Sequence, residues 1–171
     1  MTGTRWAAVG FGLAFLAVVA YFVVASIALD DSTERVGSLR VPTTGAAVAP
    51  FEGLTVTRLE LDGDCKHLVV ADDLDEREAG LRDRTDPSPY AGMLFVFDTS
   101  TDATFTMAGV SQPLEIGFYD ADGGLVSRTR MEPCKATADR CPVYRADGSF
   151  RYALEVAAGH AAPGSLANCP S

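Results

Sequence analysis

GMLFVFDTSTDATFTMAGVSQPLEIGFYDADGGLVSRTRMEPC, residues Gly92 to Cys134, carries the alternation that decides the fold. Met93 to Phe97 is an apolar run of strand length, followed by a Thr/Phe/Met strand around Phe105 to Met107 and then a hairpin that turns on Asp122-Gly123-Gly124. In PLEIGFYD, side chains alternate across a strand, so Leu114, Ile116 and Phe118 share one face and Glu115, Gly117 and Tyr119 the other. Upstream, LTVTRLELDGDCKHLVVA (Leu54 to Ala71) has two β-rich runs around Asp62-Gly63, a short-range hairpin signal. Asp73 and Glu76 have capping-box spacing and open a short helix expected to reach about Arg82. DPSPY (Asp86 to Tyr90) is a turn-rich break. Downstream, Tyr152, Leu154 and Val156 alternate with Arg151, Ala153 and Glu155, which implies one buried and one wetter face. No internal repeat is evident. The expected class is mainly β (α+β): a compact, partly open β-barrel-like domain with one short helix, preceded by a single N-terminal transmembrane helix.

That helix is Trp6 to Leu29, an apolar run without a charge. Its 24 residues would extend roughly 36 Å, enough to cross a hydrocarbon core of about 30 Å with some tilt. A secretory signal has a shorter apolar region and more basic residues before it, so an uncleaved anchor is expected; a cleaved signal using Ser26-Ile27-Ala28 is the alternative. Arg5 precedes the span and Arg35 and Arg40 follow it, so basic residues do not set the orientation. The short N-terminal tail and an even set of cysteines beyond the span place the domain in an oxidising, extracytoplasmic compartment. The expected organisation is a cytoplasmic tail at 1–5, the anchor at 6–29, a flexible linker at 30–52 containing Pro42 and Pro50, the β domain at 53–160 and a C-terminal tail at 161–171. Beyond residue 29 the chain has 13 basic and 23 acidic residues, a formal charge of −10. Such a surface repels polyanions, which argues against nucleic acid and anionic lipid as partners.

Four cysteines permit three pairings. Cys134 and Cys141 enclose six residues between Pro133 and Pro142, a spacing that fits a disulfide; zinc and thioredoxin-like sites use closer pairs. Cys65 and Cys169 then remain as the second pair. Met93, Met107 and Met131 together with His67 or a thiolate would make a soft site for copper(I), but methionines in apolar strands usually fill the core. His67 and His160 are isolated. Asp120 to Gly124 lacks the third acidic position and the final Glu of a calcium loop and reads as a turn. The acidic run Asp72 to Glu78 complements a helix N-terminus. No Gly-x-Ser-x-Gly elbow or glycine-rich phosphate loop occurs.

Gly92 to Cys134, with EREAGLRDR (Glu76 to Arg84) before it and RYALEVAAG (Arg151 to Gly159) after it, resembles the uncharacterised bacterial and archaeal DUF192 domain over roughly residues 54 to 160. The usual order there is a Gly-Leu element, a Gly-Met-Leu-Phe strand, Phe-Trp-Met-Lys-Asn-Thr, Pro-Leu-Asp-Ile and a late Leu-Glu-containing strand. The resemblance implies the same β-rich fold and brings no assigned chemistry. This chain keeps Phe105, Met107 and Pro113, has Thr106, Ala108, Gly109 and Val110 where that family has Trp, Lys, Asn and Thr, and has Glu115 for the Asp. The polar candidates that remain are Arg77, Glu115 and Tyr144. Arg77, Met107 and Glu115 are expected near one concave edge. The expected function is a membrane-tethered extracytoplasmic accessory module that binds a small ligand or an envelope protein, without a cofactor and without catalysis. The alternatives are an exported copper or thiol-redox protein using Met107, Met131 and the cysteines, and a hydrolase with Glu115 as general base.

Overall fold

The computed structural model describes residues 38–84 and 86–170. The expected cytoplasmic tail, the transmembrane span and the first part of the linker lie outside these residues. Among the described residues, no helix is long and apolar enough to cross a membrane.

Ten strands and one short α-helix make the domain: β1 (Gly45–Ala46), β2 (Thr55–Leu61), β3 (Asp64–Ala71), α1 (Leu74–Ala79), β4 (Met93–Thr101), β5 (Phe105–Thr106), β6 (Leu114–Tyr119), β7 (Leu125–Met131), β8 (Val143–Tyr144), β9 (Phe150–Ala157) and β10 (Leu166–Asn168). The main sheet runs β1-β2-β3-β4-β9-β6-β7, with β10 also on β2, while β5 and β8 pair separately. The Asp62-Gly63 hairpin forms as expected, with both residues at positive φ (50° and 90°). β3 and β4 are parallel, so the chain must cross over between them, and α1 lies in that crossover.

Both reciprocal bonds of the capping box are made: Glu76 N–H donates to Asp73 Oδ1 at 2.8 Å, and Asp73 N–H donates to Glu76 Oε2 at 3.4 Å. The helix stops at Ala79, three residues short of the expected end, because Gly80 turns to φ +49°. The Asp120 to Gly124 segment is a turn: Asp120 Oδ1 accepts from the N–H groups of Asp122 and Gly124. Gly123, at φ +87°, is required there, since a Cβ would lie 2.2 Å from the Leu166 carbonyl oxygen.

Four expectations are corrected. The sheet is open rather than barrel-like: among the described residues β7 and the β1/β10 edge do not pair as strands, and an isolated bridge joins Gly124 to Ser165. Residues 38–52 are not a free tether, because Leu39, Ala47 and Phe51 are buried and β1 pairs with β2. The expected tail 161–171 supplies buried Ala162 and Leu166 and forms β10. Finally, β6 and β9 have no wet face, because Tyr119 and Glu155 are buried along with their neighbours. Glu155, on the first face, is covered by α1 and the segment from Ala103 to Val110, while the two ends of the described residues cover Tyr119 on the second face. Tyr152 donates to the Leu39 carbonyl (3.1 Å) and Tyr119 to that of Pro163 (2.9 Å), and Leu39 and Leu166 join Leu59, Leu68, Leu94 and Leu154 there. On the first face, Phe95, Met107, Ile116, Phe118 and Phe150 form the other core beside α1.

Both disulfides form. Cys134 and Cys141 have Cα atoms 5.8 Å apart, and Cys65 and Cys169 have theirs 5.7 Å apart. Both separations lie within the bridging range. The second bond ties β10's end to the β2–β3 hairpin.

Candidate functional site: a cleft over Glu155

A cleft of about 310 Å³ opens on the first face of the sheet, between α1 and the segment from Ala103 to Val110. Its walls are mainly apolar: Leu81, Phe95, Phe97, Phe105 and Val110 contribute. Phe95 and Phe105 meet edge to face with centroids 5.1 Å apart. The charged side chains at its mouth, Arg77, Glu78 and Arg82, come from α1 and the turn after it.

One ionisable group lies inside. Glu155 lines the cleft and is only 5 % exposed. Its orientation follows from register: across the sheet it stands opposite Met93 in β4 and Ile116 in β6, both members of the first-face core. Opposed residues in adjacent strands project to the same side. Among the described residues its carboxylate makes no ion pair, and burial alone pushes its pKa from the ordinary glutamate value up to about 8. A buried carboxylate normally finds a partner, and among the described residues no side chain or backbone group supplies one. Gly92 permits the close packing behind it, because a Cβ there would lie 2.6 Å from the Glu155 carbonyl oxygen.

Arg77 is tied down at the rim. Its guanidinium donates to the carbonyls of Asp72 and of Val96 (2.8 Å for the latter) and stacks over Phe97, 5.0 Å from the ring centroid. On the opposite wall, β5 is held by β8, with Phe105 opposite Tyr144. Cys134 N–H donates to the Met107 carbonyl at 3.3 Å, so the Cys134–Cys141 bridge braces that wall from behind.

Of the four candidate ligand residues read from sequence, Arg77, Met107, Glu115 and Tyr144, the cleft includes Arg77 alone. Met107 is fully buried in the core beside the wall. Glu115 lies on the other face of the sheet, opposite Val156 and Arg130, so the expected convergence of Arg77, Met107 and Glu115 does not form. The sheet itself separates them. Tyr144 packs its ring against the first-face core, and its hydroxyl accepts from Glu132 N–H at 3.0 Å. Met93, Met107 and Met131 are all core residues. A second concavity of about 500 Å³ lies near Tyr90 and His160, but its charged lining residues Asp62, Lys66 and His160 are exposed.

Glu155 was missed because it shares strand parity with Arg151, which makes that face read as wet. The available signal was the late Leu-Glu strand itself: a carboxylate amid Ala153, Leu154 and Val156, with no basic residue between Tyr152 and Gly159.

Residues 57–168, nearly the whole of this β-domain, match the model of DUF192, described as an uncharacterized ACR. The chain belongs to the DUF192 family. No protein of curated function matches it. Two solved structures share the DUF192 domain's fold. One, from Sinorhizobium meliloti 1021, is described as a transcription-regulator candidate; it is 24 % identical, with a TM-score of 0.52, and the match covers 64 % of this chain and 88 % of that one. The other, from Novosphingobium aromaticivorans DSM 12444, is of unknown function; it is 24 % identical, with a TM-score of 0.54, covering 68 % and 83 %. In this DUF192 chain, the positions where the family motif usually has Trp and Thr are Thr106 and Val110. Both line the cleft, so two of the chain's departures from the motif fall on the cleft wall.

Proposed function

We propose that this protein is a membrane-tethered extracytoplasmic binding module that holds a small ligand, without transforming it, in the cleft over Glu155. The observation that carries this reading is the unpartnered, buried carboxylate at the inner end of an aromatic cleft. A few polar groups in a largely apolar concavity are the usual make-up of a small-molecule site. Binding is favoured over catalysis by the lining, which includes no histidine, cysteine or second buried carboxylate. General acid–base or nucleophilic chemistry ordinarily needs such a second group in reach. Arg77 keeps a role at the rim, and Met107 supports the wall from the core. Glu115 and Tyr144 are left out because of their positions. Transcriptional regulation, the role attached to the Sinorhizobium structure, is not favoured for a chain of net charge −9.

The tether is proposed from the apolar run Trp6 to Leu29, and the compartment from the two disulfides. A copper or thiol-redox role has less to support it: the methionines are packed in the core, and all four cysteines are bridged. The binding reading is tested by amide chemical-shift mapping with a library of small fragments of mixed charge. Shifts should cluster at Phe95, Phe97, Thr104 to Thr106 and Glu155. Fragments that cluster elsewhere, or a cleft that none perturbs, would overturn it.

A further inference from the structure

We infer that the cleft takes an organic ammonium group, with the Glu155 carboxylate as its counter-charge and the rings of Phe95, Phe97 and Phe105 as its walls. This rests on the binding reading above and names the ligand's chemistry. A carboxylate set among apolar side chains has lost much of its hydration, and among the described residues neither a hydrogen bond nor a cation is returned to it. In the empty cleft a proton restores the balance, and a positive charge delivered from outside can take its place. The aromatic lining selects the kind of cation. A bare metal ion would want several oxygen or nitrogen ligands, and among the described residues no group of three or more His, Cys, Asp and Glu side chains is placed to hold one. An ammonium carrying carbon substituents is instead stabilised by ring faces and a single carboxylate. Phe97 already accepts a cation in this structure, the Arg77 guanidinium on its face.

An anionic ligand drawn by the rim arginines is the competing idea. Arg77 is committed to two carbonyls and to Phe97, and Arg82 is exposed, where its field is screened by water and salt and partly offset by Glu78. An anion reaching the inner end would meet Glu155. The charged groups that face the cleft are therefore Arg77 and Glu78 from α1, Arg82 from the following turn and Glu155 from β9. Burial pushes the pKa of Glu155 into the neutral range, to about 8. In the empty cleft it holds a proton at neutral pH; on binding a permanent cation the carboxyl O–H bond breaks, the electron pair stays on the carboxylate and the proton leaves to solvent. Below about pH 8, affinity for such a cation should rise close to tenfold per pH unit and level off above it.

Three probes of matched branched shape separate the possibilities: choline, its neutral carbon counterpart 3,3-dimethylbutan-1-ol, and the anion 3,3-dimethylbutanoate. Titrations at pH 6, 7.5 and 9, followed by amide shifts, should show choline binding at the cleft at least tenfold tighter than either competitor at pH 9. Glu155→Gln, nearly the same in shape, should fold with an unchanged amide spectrum outside the cleft, lose that preference and flatten the pH profile. Equal or tighter binding of the alcohol or the anion would overturn the ammonium assignment and leave the binding reading standing. If none of the three perturbs the cleft, both fall. Choline binding that survives Glu155→Gln unchanged would remove Glu155 from the site.

Discussion

Glu155 is a liability to the fold that a pH titration should expose. Its folded pKa, about 8, is raised above the ordinary 4.5, so between those values the native state holds a proton that the unfolded chain releases. The sign follows: stability is full below about pH 4.5 and falls as pH rises through about 8, by up to about 5 kcal/mol if the whole shift is realised. Glu155→Gln removes the ionisation. Urea unfolding with both disulfides intact should find the variant close to the native protein at pH 5 and more stable by a few kcal/mol at pH 9. A constant difference across that range would mean that Glu155 is partnered or hydrated in solution. The residue was hard to read from sequence for a physical reason: alternation reports which residues share a face, and burial of that face depends on what else packs there. For Leu114, Ile116 and Phe118 composition sufficed. For Glu155 the covering pieces are α1 and the segment from Ala103 to Val110, both distant along the chain.

Short elements here are held by specific local chemistry, and that chemistry was the most legible part of the sequence. The six-residue α1 has no buried side chain, so its position depends on its ends more than on packing. Asp73→Ala removes one half of the capping box and should cost about 1 kcal/mol in urea unfolding. It should also raise amide exchange along Leu74–Ala79, because the freed helix start no longer fixes Arg77 against the Val96 carbonyl. The facing wall is similar: β5 and β8 are two residues each and pair only with one another. Their brace is the Cys134–Cys141 bond, whose spacing was enough to anticipate it. Replacing both cysteines by serine should cost about 2 to 3 kcal/mol. Exchange should rise first at Phe105 to Met107 and Val143 to Tyr144; protection unchanged there would show that the wall is held by its core contacts alone. The segments misread as linker and tail, 38–52 and 161–171, failed on the same principle in reverse. Their Pro, Gly and Ala content gives no period, yet Leu39, Phe51 and Leu166 each fill a place that the strands leave open.

At the scale of the whole molecule, the ends of the described chain converge on one side of the sheet. Arg40 N–H donates to Asn168 Oδ1 at 3.3 Å and Asn168 Nδ2 donates to the Arg40 carbonyl, while Cys169 is bridged to Cys65. That bridge closes a span of 104 residues, the kind of long loop for which a disulfide restricts the unfolded chain most. The topology therefore binds the two ends of the described domain together, and the apolar run Trp6 to Leu29 lies outside the described residues. Twenty-four uncharged residues are long for a cleavable signal and sufficient for a span, and two disulfides argue for the oxidising side of that membrane. The full-length chain should therefore stay in the membrane fraction through a carbonate wash, and residues 38–171 expressed with an export signal should be released as a soluble, folded domain. Thiol alkylation before reduction should label no cysteine in the exported chain. Recovery of a soluble mature chain beginning at Leu29 would replace the anchor with a cleaved signal, and free thiols in the native protein would move the domain to the reducing side. Because the cleft depends on Glu155, α1 and the Cys134–Cys141 wall, all within the folded unit, the released domain should bind choline as the tethered protein does; a domain that binds only when tethered would mean that the membrane surface itself completes the site.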